Sequence, residues 1–190
     1  MRIIAGQYRG RPLSSLRGAA LRPTSDRLRE TLFDVLTAGR PDALAGSVWF
    51  DLYAGSGAVG LEALSRGAHT VYFVESARAA QALIRHNLER LGIEEGCTLM
   101  ARDALAALRQ LEKEGVACDF CFLDPPWEDH GAYRQALEFL SRPASSLLKP
   151  SSLVVVEHQQ RFDPGESFGA LGRYRRLPQG DAALSFYRLP

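Results

Sequence analysis

The sequence predicts an α/β fold: a mostly parallel seven-stranded sheet with helices on both faces and a small N-terminal β-hairpin. Three observations carry this. From residue 47 onward, short apolar runs alternate with amphipathic segments, the pattern of a parallel sheet covered on both faces. A glycine-rich stretch, Gly55-Ser-Gly57-Ala-Val-Gly60, lies between the first such strand and the first such helix, the context a nucleotide-type loop needs. The last two strand-like segments, 172–178 and 182–188, have no helical pattern between them. Pro178-Gln-Gly-Asp181 is a turn signal instead, so they read as a terminal hairpin that sets an antiparallel strand into the sheet. Together these give a Rossmann-like architecture.

The elements follow in order. Arg2-Ile-Ile-Ala, Gly6-Gln-Tyr-Arg-Gly10 and Arg11-Pro-Leu form a hairpin with glycines at its turn. Arg22-Pro-Thr-Ser-Asp26 precedes a helix with Leu28, Leu32, Val35 and Leu36 on one face; Thr24 or Ser25 is its N-cap. A loop over 39–46 leads into strand 47–52. Helix 58–66, strand 69–74, helix 77–91, strand 97–101, helix 104–114, strand 118–123, helix 131–142 and strand 152–157 come next. Residues 1–22 therefore read as a basic hairpin or arm, and 23–190 as the main domain. No internal repeat or low-complexity tract interrupts them.

At 190 residues and 46% hydrophobic content, the chain supports one sizeable core. No apolar run approaches the ~20 residues of a membrane span, and Met1-Arg-Ile-Ile-Ala lacks a signal-peptide stretch. A cytoplasmic monomer is the expectation. Cys118 and Cys121 form a CxxC, but both fall in a predicted strand, where positions three apart face opposite sides. No metal site is expected there or elsewhere. The net charge of +1 is unevenly spread: residues 1–40 hold eight arginines and three acids, a net of +5, which leaves −4 for the rest. A basic N-terminal section beside a near-neutral body suggests contact with phosphate, through Arg2, Arg9, Arg11, Arg17, Arg22 and Arg27.

Two motifs carry chemistry. Asp124-Pro125-Pro126-Trp127 ends the apolar run Phe120-Cys-Phe-Leu123. The prolines stiffen the chain and remove donors, so the turn presents carbonyl acceptors beside the Asp124 carboxylate. Trp127 can stack on a planar base. Acceptors beside a stacking ring suit an exocyclic amino group. The second motif is Asp51-Leu-Tyr-Ala-Gly55-Ser-Gly57-Ala-Val-Gly60. A glycine loop of this kind also cradles the pyrophosphate of dinucleotides. Asp51 argues against that use, because a carboxylate repels pyrophosphate but attracts the cationic end of S-adenosylmethionine. Glu75, about twenty residues past the glycines, is placed to accept both ribose hydroxyls. Asp103 is placed to accept from an adenine amino group, with Ala104 beside it, although Asp103 is also a natural N-cap for helix 104–114. All four acids fall at carboxyl ends of predicted parallel strands, where open α/β sheets bind ligands.

On these residues the chain resembles the class I S-adenosylmethionine-dependent methyltransferases that modify amino groups. More narrowly it resembles the bacterial small-subunit ribosomal RNA guanine-N2 methyltransferases, over nearly its whole length. The discriminating segment is Arg22-Pro-Thr-Ser-Asp-Arg-Leu-Arg-Glu-Thr-Leu-Phe33. The resemblance implies methylation of one guanine in 16S rRNA, with an assembled or partly assembled 30S subunit as substrate. Asp124 and the Pro125 carbonyl would accept the two amine N–H bonds, and Trp127, where the family usually carries Tyr or Phe, would hold the unstacked base. Arg22, Thr24 and Arg27 fall near the methionyl group or the RNA backbone. His130 has no family role and reads as a solvated loop residue. The rival readings are adenine-N6 methylation of DNA or RNA, a nicotinamide oxidoreductase, and a non-enzymatic ribosome-assembly factor.

Overall fold

The computed structural model describes residues 1–15 and 25–190; the expectations for Arg17, Arg22 and Thr24 lie outside these residues. Helix α1 (Asp26–Thr37) starts where the Ser25 hydroxyl accepts from the Leu28 N–H at 3.1 Å, an N-cap bond. Then follow β1 (Val48–Leu52), α2 (Ala58–Ser65), β2 (Thr70–Val74), α3 (Arg78–Leu91), β3 (Cys97–Met100), α4 (Ala104–Lys113), β4 (Cys118–Leu123), α5 (His130–Leu140) and β5 (Leu148–Gln159). Strands β6 (Ser167–Phe168), β7 (Leu171–Gln179) and β8 (Ala182–Arg188) complete the described residues.

The sheet order is β3-β2-β1-β4-β5-β8-β7-β6. Strands β1 to β5 are parallel, and β8 and β7 add antiparallel. The order reverses between β1 and β4, a topological switch point. Helices α1, α2 and α3 bury Leu32, Leu61 and Ile84 on one face. Helices α4 and α5 bury Leu108 and Leu137 on the other. Both faces are closed, which is why β1 and β4 read as continuous apolar runs rather than alternating ones.

Three expectations need correction. The sheet has eight strands, not seven: β6 pairs only Ser167 and Phe168 with β7, and two residues carry no periodic signal. Strand β5 begins at Leu148, four residues early; the β4 pairing shifts register between Cys118 and Phe120, and Pro150 masks the strand because proline cannot donate to the ladder. Cys118 and Cys121 lie in the same core rather than on opposite faces. Their thiols are hydrogen-bonded, and burial pushes the Cys121 thiol well up.

The N-terminal hairpin is reduced to one bridge, Arg2↔Pro12, with Ile3 donating to Arg11 O at 3.0 Å and Gly10 to Ile3 O at 2.9 Å. It is docked along α2. The Glu62 carboxylate accepts from Ile4 N–H at 2.7 Å and Ala5 N–H at 2.9 Å. Gly6, at φ +81, lies so close to α2 that a Cβ there would sit 1.8 Å from Ser65 O. Arg29, fully buried, donates to Arg2 O and lies 3.7 Å from Glu62.

Candidate active site

The switch point joins the two sequence motifs. Leu52 and Leu123 are register partners, and the Asp124 N–H donates to Leu52 O at 3.4 Å. The Asp51 strand end and the Pro-Pro turn therefore leave the sheet side by side. Asp51 is 2% exposed, and its Oδ2 accepts from the Gly60 N–H at 2.9 Å. Burial pushes its pKa from 3.8 up to about 8; the Gly60 hydrogen bond opposes this, and the negative charge of Glu75 adds to it.

The glycine loop donates inward. Gly55 N–H ends on Glu75 Oε2 at 2.8 Å, and the other Glu75 oxygen accepts from Ala77 N–H at 2.8 Å. Gly55 and Gly57 have φ of +55 and +77, which glycine adopts without the Cβ penalty. Gly60 has a packing role instead: a Cβ there would sit 2.3 Å from the Phe73 ring. A dinucleotide loop presents free N–H groups to pyrophosphate. Here the Gly55 and Gly60 donors are already committed to carboxylates.

Beside this loop lies a cavity of about 330 Å³, lined in part by Tyr53, Glu75, Arg102, Asp103, Ala104 and Asp129. Three carboxylates and a phenol give it acceptors for hydroxyls and amino groups. The cationic, phosphate-free chemistry of S-adenosylmethionine fits this donor set together with buried Asp51. Asp103 lines the cavity and caps α4 by accepting from Ala106 N–H at 2.9 Å, as its N-cap reading expected.

The Pro-Pro turn is anchored on both faces of the sheet. Pro125 is buried, and its carbonyl accepts from the buried Tyr133 hydroxyl at 3.2 Å. Burial, with Asp124 as the largest charge contribution, raises the Tyr133 pKa, so its hydroxyl stays a donor. The Pro126 carbonyl accepts from Asp129 N–H at 2.9 Å. A carbonyl has two lone pairs, so Pro125 keeps one acceptor position. Trp127 is half-buried and packs against the core formed with α1, opposite the Tyr133 side. His130 is the first residue of α5, not a loop residue. Its exposed ring stacks on Phe162 with centroids 4.0 Å apart.

Of the arginines read as phosphate contacts, Arg2 and Arg9 are exposed on the docked N-terminal segment and Arg27 is exposed on α1. Arg11 is exposed but also donates to Leu91 O at 3.0 Å. Sequence reasoning missed Tyr53, Arg102, Asp129 and Tyr133. Tyr53 lies inside the glycine motif and holds a left-handed φ of +64, uncommon for a bulky residue and a mark of a constrained site. Burial pushes its pKa up to about 12, helped by Asp129 and Asp103. Asp129 was legible as an N-cap, accepting from Ala132 N–H at 3.0 Å. Tyr133 had no signal, because it reads as one more core position of an amphipathic helix.

Residues 1–188 match the family described as Conserved hypothetical protein 95. Ribosomal RNA small subunit methyltransferase D of Haemophilus influenzae is 37% identical over 84% of this chain and 79% of its own length. Its namesake in Escherichia coli is 35% identical, over 84% and 75% respectively. The chain belongs to the ribosomal RNA small subunit methyltransferase D family. A solved structure of a candidate methyltransferase from Escherichia coli superposes with a TM-score of 0.81 at 31% identity, covering 100% of this chain and 97% of the other.

Proposed function

We propose that this protein transfers a methyl group from S-adenosylmethionine to the exocyclic N2 amine of one guanine in 16S rRNA. The substrate is an assembled or partly assembled 30S subunit, and the enzyme works as a cytoplasmic monomer. The observation that carries the reading is the commitment of Gly55 and Gly60 N–H groups to Glu75 and Asp51. It turns a nucleotide-type loop into an acceptor-lined one and disfavours a dinucleotide.

Bound S-adenosylmethionine supplies an electrophilic methyl group. Glu75 would accept from the ribose hydroxyls with its remaining lone pairs, Asp103 and Ala104 would flank the adenine, and Asp51 would face the cationic methionyl end. Asp124 and the second lone pair of Pro125 accept the two amine N–H bonds of the guanine. Tyr133 fixes the direction of that carbonyl. Held this way, N2 turns its own lone pair toward the methyl group, and catalysis comes from positioning and electrostatics. As the N–C bond formed and the donor's S–methyl bond broke, its electron pair returning to sulfur, N2 would become positive and its proton acidic; Asp124 would need only to accept it. Trp127 holds the base outside its stack.

The test uses purified protein, labelled methyl donor, and three acceptors: 30S particles, protein-free rRNA and DNA. Nucleoside mass spectrometry should find N2-methylguanosine in small-subunit rRNA. Methyl found on adenine N6, or no transfer to any acceptor, overturns the reading.

A further inference from the structure

The N-terminal section is not the only basic surface. From Leu171 onward the chain carries Arg173, Arg175, Arg176 and Arg188 against a single acid, Asp181, a net of +3. Arg173 is bound to Asp163 at 3.1 Å through Nη2, which takes it out of the available charge. Arg175, Arg176 and Arg188 are exposed. Among them stands Tyr174, 42% exposed, the one exposed large hydrophobic residue among those described. The Arg188 guanidinium lies over its ring, 5.1 Å from the centroid.

The backbone explains how Tyr174 reaches solvent. The β7–β8 pairing shifts register between Arg173 and Arg175, so Tyr174 is the extra residue of a bulge, a device that re-aims a side chain. Strand β6 pairs only with Leu171 and Gly172, so from Arg173 on β7 has no outer strand partner among the described residues. Tyr174 meets Phe186 across the sheet, ring centroids 6.2 Å apart. Phe186 belongs to the core on the α1 face, against which Trp127 also packs. Arg175 is the register partner of Phe186, and Arg188 lies two residues further along the same strand, so with Tyr174 they share one face of the sheet with the stacking ring of the Pro-Pro turn; Arg176 pairs with Ser185, turns to the opposite face and donates to Gln160 O at 2.6 Å.

Charge on an edge strand blocks unwanted strand pairing, but that purpose is not served by an exposed aromatic. Arginines for phosphate, interleaved with a ring for a base, are how single-stranded nucleic acid is gripped without sequence reading. We infer that Tyr174, Arg175 and Arg188 form a second RNA-binding strip, taking an unpaired segment of the substrate RNA on the same face as the target base. This inference rests on the proposed function for the identity of the RNA.

The test compares the parent chain with Tyr174→Ala and with the double variant Arg175→Gln/Arg188→Gln. Thermal melting and methyl-donor affinity should stay at parent values, since neither substitution touches the cavity. Binding to a protein-free fragment of small-subunit rRNA is measured across a salt series. Tyr174→Ala should weaken it about tenfold, the loss of one stacked base. The double variant should flatten the salt slope by roughly 0.7–0.9 for each phosphate that is no longer neutralised. Parent-like affinity and slope in both variants overturn the strip. Parent-like binding to protein-free RNA with weakened binding to 30S particles also overturns it, in favour of a ribosomal protein partner. Methyl transfer is read separately on 30S particles: a parent that binds RNA through this strip but transfers no methyl group to 30S particles sinks the proposed function and leaves the strip standing.

Discussion

Gly55 donates its backbone N–H to Glu75 at 2.8 Å, across the carboxyl ends of β1 and β2. One carboxylate thus shapes the glycine loop and faces the cavity. Glu75→Ala removes the acceptor for Gly55 and for Ala77 as well as a partner for the cofactor. Methyl-donor affinity should fall by roughly 1–3 kcal/mol, the loss of a charge-assisted hydrogen bond, and NAD should not bind to either protein. Calorimetry checks both. Parent-like affinity in Glu75→Ala removes this residue from the site.

Asp51 should make methyl-donor binding depend on pH. Its folded pKa of about 8 lies above the ordinary 3.8, so folded protein keeps a proton that the unfolded chain has released. This contribution to stability is fully present below pH 3.8 and is lost as pH rises through about 8. A cationic ligand favours the ionised carboxylate, so its binding expels the proton. Methyl-donor affinity should rise with pH, by at most about tenfold per unit, and level off near pH 8. Asp51→Asn should flatten the profile. Calorimetry at neutral pH, in buffers of different ionisation enthalpy, reads the released proton directly; no proton release there contradicts the assignment.

Asp124 and Tyr133 should separate in kinetics. Asp124→Ala should leave methyl-donor affinity near the parent value and lower kcat by roughly two or more orders of magnitude, because the interaction it removes is used chiefly as the N–C bond forms. Tyr133→Phe keeps the packing and removes only the donor to Pro125 O. Stability should drop by roughly 0.5–1.5 kcal/mol, with a smaller fall in kcat. Single-turnover methyl transfer with saturating donor distinguishes them. Asp124→Ala with most of its activity intact would show that the amine is not held there.

The sequence carried the periodic parts of this architecture well. Strands β1, β2 and β4 are apolar runs bounded by glycine, proline or acid, and their ends place Asp51, Glu75 and Asp124 at one edge of the sheet. What stayed hidden depends on packing across the chain. Nothing in the local pattern around Glu62 says that its carboxylate will bind the backbone of Ile4 and Ala5, 58 and 57 residues away. Tyr133 reads as a core residue until the fold brings its hydroxyl to Pro125. Gly60 looked like a ligand-facing glycine, yet its missing Cβ makes room for Phe73. The bulge that exposes Tyr174 is a pairing event between β7 and β8, invisible to an alternation count along one strand.

The docked N-terminal segment sets the last prediction, because the residues that dock it and its exposed arginines are different ones. Glu62 is fully buried, holds Ile4 and Ala5, and pairs with Arg66 at 2.8 Å. Glu62→Ala leaves Arg29 buried without that carboxylate, and breaking a buried pair costs about 3–5 kcal/mol. Arg2 and Arg9 project outward from the same segment. Arg2→Gln/Arg9→Gln should therefore keep the parent melting temperature and methyl-donor affinity. It should weaken binding to small-subunit particles and reduce the salt slope by roughly 0.7–0.9 for each phosphate left without its arginine. Denaturation curves and salt-dependent binding, measured on the same preparations, decide the matter. A double variant that melts early identifies these arginines as structural. One that melts normally and binds particles with the parent salt slope shows that this face of the segment does not meet RNA.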